Sequence, residues 1–358
     1  MKLLINKSGI GAEELQSLTG SYYQNNDFSR IQTDWLLAQE DVSKLVGAAV
    51  MDRALAHYHS SAYRYPLADQ EEGSGSAGSG LTDVDNELVY ALQVPIAYKA
   101  TLRYYQSNIV SHEDAGRKLK IDNQNEKTPW EWMMDRDDLA QVRKANETMD
   151  RCITFLEQSQ VEEWLESDRR KMTRELFVNT TSLFHDAYPI DSSPRFFYTV
   201  TPFIREVQER KIKKALGASY APLLAYWQSF ADTEYPVSEG SGSGSGLPGI
   251  PEVNETYEEL VTLVQRVVPL LVMVLAVKRL NVQVLPDGVV QTFKSMLQTR
   301  NASQAVTLDL VRAYCKELEE DAGYALDDIR RLLNASDPEA LNYPLQPKNC
   351  ETNKFFRF

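Results

Sequence analysis

Histidine and cysteine are scarce in this chain, and with them the commonest routes to a metal site or a nucleophile. Only four histidines and three cysteines (Cys152, Cys315 and Cys350) occur among 358 residues. No CxxC, HExxH or GxSxG is present. An odd number of cysteines without CxxC signals neither a disulfide framework nor a zinc site, and fits reduced thiols in a cytosolic setting. Positive charge is also short: the formal net charge is −13. An acidic chain repels phosphate backbones, so nucleic acid is at most a peripheral partner. Long apolar runs are missing as well. Leu3 to Ile5 is too short for the core of a signal peptide. The longest run, Val267–Val277, has eleven residues, against about 20 for a spanning helix. It reads as a buried helix, and no membrane is implied.

What the chain does have is globular composition, 43% hydrophobic and 25% charged. It is long enough for two domains, and it repeats itself. Gly/Ser runs stand at residues 73–80 and 240–246, each directly preceded by a glutamate, Glu72 or Glu239. Tyr65-Pro66-Leu67 and Tyr235-Pro236-Val237 lie upstream of them. Downstream, Glu87-Leu88-Val89 faces Glu259-Leu260-Val261, and Gln93 faces Gln265, at a constant offset of 172. Gln39-Glu40 faces Gln208-Glu209, and Tyr58 falls on Trp227. The copies open alike, with Leu4-Ile5-Asn6 and Phe177-Val178-Asn179. Ordered correspondences of this kind mark a tandem duplication. The copies are read as 1–160 and 174–335, with 336–358 as an extended C-terminal tail.

The fold class is mainly α: two tandem copies of a three-helix module, each with a small β-hairpin. A short apolar arm opens each module. The first helix is expected over Thr33–Tyr63 and Thr201–Asp232, stopped by Pro66 and Pro236. The second is expected over Asp85–Asn108 and Glu255–Arg279, with a kink or late start at Pro95 and Pro269. Ile109–Ile121 and Asn281–Phe293, around Gly116 and Gly288, read as hairpins. Asp287-Gly288 between β-branched runs is the clearer signal. The third helix is expected over Asp135–Glu157 and Val306–Leu333.

Candidate chemistry is thin. Ser8-Gly9-Ile10-Gly11 looks like the start of a phosphate loop, but it lacks the third glycine and a following βαβ unit, so it reads as a turn. His57 and His59 lie two apart and would face different sides of a helix. Their counterparts are Tyr226 and Gln228. Asp135, Asp137 and Asp138 suit a helix N-terminus. Arg205, Arg210, Lys211, Lys213 and Lys214, interrupted by Glu206 and Glu209, read as a solvated helix face. Contact with DNA or an acidic surface is the alternative. Trp130 and Trp132 are either core anchors or interface residues. The tail residues Phe355, Phe356, Arg357 and Phe358 either fold back or dock in a neighbouring subunit. No catalytic, cofactor-binding or metal residue is assigned, and no enzymatic activity is expected.

The apolar helix Leu88–Tyr104, the hairpin glycine Gly116 and the long helix ending in Leu156-Glu157 carry a resemblance. The module resembles a domain family of unknown function that recurs in Bacteroidetes genomes and their prophages. More coarsely, it looks like the small helical head–tail connector proteins of tailed phages. That resemblance implies a structural virion protein, a homo-oligomeric ring at the portal–tail junction with portal and tail or collar proteins as partners. Other tail, collar or contractile-injection components are the alternative reading, and a soluble enzyme with an unrecognised site is a third.

Overall fold

A computed structural model describes residues 2–20, 27–63, 81–108, 111–113, 116–118, 130–234, 254–280, 282–285, 288–291 and 308–336. Both Gly/Ser runs and the tail residues Phe355 to Phe358 lie outside the described residues. The chain divides into two compact units, Met1–Lys171 with Ser193–Arg195, and Met172–Ser192 with most of the chain from Phe196 on. Both are mainly helical.

The first unit opens with the arm Lys2–Asn6. It continues through α1 (Gly11–Thr19), α2 (Gln32–Val46), α3 (Ala48–Tyr58) and α4 (Leu81–Asn108). Strands β1 (Ser111–Glu113) and β2 (Gly116–Lys118) pair antiparallel, with Glu113 opposite Gly116. Then follow α5 (Glu131–Gln158), α6 (Glu162–Leu165) and α7 (Asp168–Arg174). The second unit repeats the order with α8 (Thr181–Ala187), α9 (Pro194–Val207), α10 (Lys213–Leu216), α11 (Tyr220–Glu234) and α12 (Glu255–Arg279). It closes with β3 (Val282–Leu285), β4 (Gly288–Gln291) and α13 (Leu308–Ser336). Leu285 pairs with Gly288, so that glycine sits on the strand rather than at the centre of the turn.

The core repeats with the sequence. Leu88, Val89, Leu92, Ile96 and Ala100 are buried on α4; Leu260, Val261, Val264, Val268 and Val272 hold the same register on α12. Spacings of three and four place them on one helix face. Ala145 and Cys152 on α5 answer Ala322 and Ile329 on α13. Trp164 on α6 is fully buried, and Arg53 on α3 bridges Asp85 on α4 and Glu163 on α6. The segment after residue 160 therefore belongs to the packing of the first unit.

The first helix of each module departs from expectation. In the first unit it breaks at Gly47, whose φ of +97° only glycine adopts without strain. In the second it begins earlier, at Pro194, and breaks at Gly217 with φ +53°. Between α9 and α10 the chain makes a π-helical turn, Gln208–Ile212. The buried positions step from Gln39 to Val42 in the first copy and from Gln208 to Ile212 in the second. The wider π turn sets the step between the buried Gln208 and Ile212. The second helix of each module runs through Pro95 and Pro269 rather than starting late.

Helix α12 is long and apolar enough to cross a membrane, and half of its most apolar stretch is buried inside the fold. Its contacts are those of a core helix: it packs on α13 and α8. At its C-terminal end Val274 meets Cys315 and Leu318.

Candidate functional site

The most elaborate polar arrangement in each unit surrounds the arm. Leu4, Ile5, Phe177 and Val178 are at most 2% exposed. An arm that enters a core in irregular conformation carries backbone N–H and C=O groups with no ladder to join. Glutamines take the place of the missing strand. Leu4 N–H donates to Gln39 Oε1 at 2.9 Å, and Gln39 Nε2 donates to Lys2 O at 3.1 Å. Gln93 Nε2 reaches from α4 to Leu4 O at 2.8 Å. The second unit repeats the three bonds atom for atom. Phe177 N–H donates to Gln208 Oε1 at 3.0 Å, Gln208 Nε2 to Glu175 O at 2.9 Å, and Gln265 Nε2 to Phe177 O at 3.0 Å. Trp227 Nε1 adds a bond to Leu176 O at 3.1 Å.

These bonds explain why Gln39/Gln208 and Gln93/Gln265 recur. Each pair of amides presents a donor and an acceptor, as a neighbouring strand would, and holds the arm through its backbone atoms, while Gln208 Nε2 also donates to Tyr220 Oη at 3.1 Å. The clamp therefore constrains the path of the arm while its side chains stay buried in the core. The sequence signal was a polar residue repeated in register on an otherwise apolar helix face.

In the first unit a further polar cluster adjoins the arm. Glu14, 2% exposed, accepts from Asn6 N–H and from Tyr58 Oη. Tyr58 Oη in turn accepts from Lys7 N–H at 2.9 Å. Burial pushes the Glu14 carboxyl above its ordinary range, against the bonds from Asn6 and Tyr58, which lower it. Burial and the neighbouring Glu14 charge push the Tyr58 phenol up. Asn6 has φ +65°, and its Oδ1 accepts from Gly11 N–H at 2.9 Å. A Cβ on Gly11 would lie 2.7 Å from Asn6 Cβ and 2.8 Å from the Phe28 ring. Gly11 thus serves close packing where α1 begins, right after the turn expected at Ser8-Gly9-Ile10.

The other sequence candidates scatter. His57 Nε2 meets Asn86 Oδ1 and His59 Nε2 meets Leu3 O, so the two rings serve different partners. Among the described residues no group of three or more metal-ligating side chains comes together. Arg210 pairs with Glu206, and Lys213 with Glu209, each one helical turn away. Arg279 grips Glu206 from α12 and lies over the Phe203 ring. Lys211 and Lys214 are exposed. The patch is thereby a largely compensated helix surface. Trp130 and Trp132 stay at the surface, 72% and 44% exposed, so neither anchors the core. Leu139 and Val142 are also exposed on α5, as are Leu310 and Tyr314 on α13. Cys152 is enclosed, and burial pushes its thiol up to about 12.

No curated protein and no solved structure matches this chain. The model of one family, described as a family of unknown function (DUF6712), matches twice, over residues 43–174 and 246–356. The second match takes in most of the segment after Ser336. With both matches covering more than half of its length, the chain belongs to this family and carries its domain in duplicate.

Proposed function

We propose that the protein is a structural subunit of a tailed-phage or prophage particle, a connector or adaptor that forms a ring at the head–tail junction. Its partners are further copies of itself and portal and tail or collar proteins. Its place is the virion, reached from the host cytoplasm during assembly. The observation that carries this reading is the exposed apolar surface at the start of the long closing helices. On α5, Trp132, Leu139 and Val142 are spaced seven and three residues apart, on one side of the helix, and are 38–48% exposed. On α13, Leu310 and Tyr314 stand one turn apart, 62% and 39% exposed. Apolar residues grouped on one face mark an interaction surface. Two similar but non-identical units suit heterologous contacts, which close into rings.

Sedimentation velocity and negative-stain electron microscopy of the full chain test this. A closed oligomer is expected, and W132S/L139D should reduce it to a folded monomer with unchanged helical circular dichroism. A wild-type protein that stays monomeric at tens of micromolar and is absent from particles refutes the reading.

A further inference from the structure

The two closing helices carry exposed stripes of the same spacing. On α5, Trp132, Arg136, Leu139, Arg143 and Asn146 follow at steps of four, three, four and three. On α13, Leu310, Tyr314, Glu317, Asp321 and Tyr324 do the same. Such steps line one side of a helix, as in the seam between two packed helices. Both lines run beside the buried face rather than along it. Ala145 and Met149 on α5, and Cys315, Leu318 and Ala322 on α13, turn into the core instead. Trp132 and Leu139 are 44% and 48% exposed, and Tyr324 is 71% exposed. Arg136, Arg143, Glu317 and Asp321 are exposed as well. Among the described residues, ion pairs take up every charged side chain of α13 between Asp309 and Arg331 except Glu317 and Asp321, and they take up neither Arg136 nor Arg143. The charges left over on these two helices thus include two cations on one stripe and two anions on the other.

We propose that the α5 stripe of one copy packs antiparallel on the α13 stripe of a second copy. Each stripe spans 14 residues, about 21 Å at 1.5 Å per residue. In the antiparallel register Trp132 meets Tyr324, an aromatic pair. Arg136 meets Asp321, and Arg143 meets the Tyr314 ring beside Glu317, where it has both a ring face and a carboxylate to contact. Pairing of like stripes is disfavoured. Two α5 stripes would set Arg136 against Arg143, and two α13 stripes would set Glu317 against Glu317. Opposite charge thus selects α5 with α13, and like charge rejects the self-pairings, the two halves of a specific contact. One stripe belongs to each unit. The two faces therefore differ, and the contact runs head to tail from copy to copy, the type that closes into a ring.

The inference rests on the assembling reading above and names its contact. Its test reverses the charges in two variants of the full chain, R136E/R143E and E317R/D321R. Each alone should sediment as a monomer with unchanged helical circular dichroism, because every α5–α13 contact then opposes like charges. An equimolar mixture of the two should recover the oligomer. In it a reversed α5 meets a reversed α13, and an unaltered α5 meets an unaltered α13, so the two variants alternate. A disulfide between W132C in one chain and Y324C in another should form in the oligomer and fix the antiparallel sense; one between W132C and L310C instead overturns that sense. An oligomer that either reversal leaves intact, or a mixture that stays monomeric, overturns the pairing while the wild-type oligomer still supports assembly. A wild-type chain with no oligomer at all overturns the assembling reading itself.

Discussion

The glutamine clamp makes a quantitative prediction at Gln39. Replacing it with leucine keeps the side chain's approximate volume and removes both polar ends. Leu4 N–H, fully buried, then loses its acceptor, whereas Lys2 O lies on an exposed residue and takes water instead. A stranded buried donor costs about 1–3 kcal/mol. The added apolar surface returns some of this, at about 25 cal/mol per Å² buried. A net loss of about 2 kcal/mol is expected for seating the arm, which is about thirtyfold in its opening equilibrium. The loss is local, since α2 and α4 keep their own packing. Hydrogen exchange followed by mass spectrometry on the full chain should show the N-terminal peptide exchanging faster by that factor. Peptides from α12 should not change. Gln93→Leu should act similarly through Leu4 O, and the double variant should lose less than the sum, because an arm already released has no second bond to lose. Wild-type exchange in the Gln39→Leu arm, or strict additivity with Gln93→Leu, would falsify the clamp.

Three further outcomes follow from the same region and from the cores. The Glu14 carboxyl is raised above its ordinary 4.5 by burial, so the folded state holds its proton more tightly than the unfolded chain. The stability it contributes is present below 4.5 and is lost as pH rises through the folded value. Glu14→Gln should raise the melting temperature of the first unit at neutral pH and flatten this slope; a lower melting temperature at pH 7 would contradict the sign. Gly11→Ala should destabilise by about 1–3 kcal/mol, the usual cost of forcing a methyl into filled space, because Asn6 and Phe28 stand in its way; urea titration of the full chain would read it, and a neutral result would refute the close packing. Cys152 and Cys315 are both buried. Iodoacetamide at pH 8 should leave them unalkylated in the native chain and label them in urea, with peptide mapping as the readout; native labelling of Cys152 would show that α5 opens.

Much of the fold was legible in the sequence, for reasons of local physics. Apolar spacing placed α4, α5, α12 and α13, because helix periodicity depends on neighbours three and four residues away. The two internal copies exposed one another, since a duplicated core must keep the same apolar register to fill the same space. The first helix of each module was less legible. Gly47 and Gly217 sit in alanine- and leucine-rich stretches that favour continuous helix, and only the backbone angles show that the chain turns there. The π turn at Gln208–Ile212 was hidden because a single wider turn leaves composition and apolar spacing almost untouched. Trp130 and Trp132 divided evenly between core and interface, since burial of an aromatic depends on what lies across from it. The histidines and the basic run offered types of residue without partners, and the fold gave them separate or compensating ones.

The sequence by itself determined the duplication, the helical class and the register of the buried faces, all of which follow from short-range order along the chain. What it could not assign was the purpose of its repeated glutamines. Leu4 lies 35 residues from Gln39 and 89 from Gln93; Phe177 lies 31 from Gln208 and 88 from Gln265. A hydrogen bond over such a separation exists only once the helices have packed and delivered both ends to the same place. Tertiary structure decided that these amides stand in for a strand, and so turned two apolar arms into seated elements of the core.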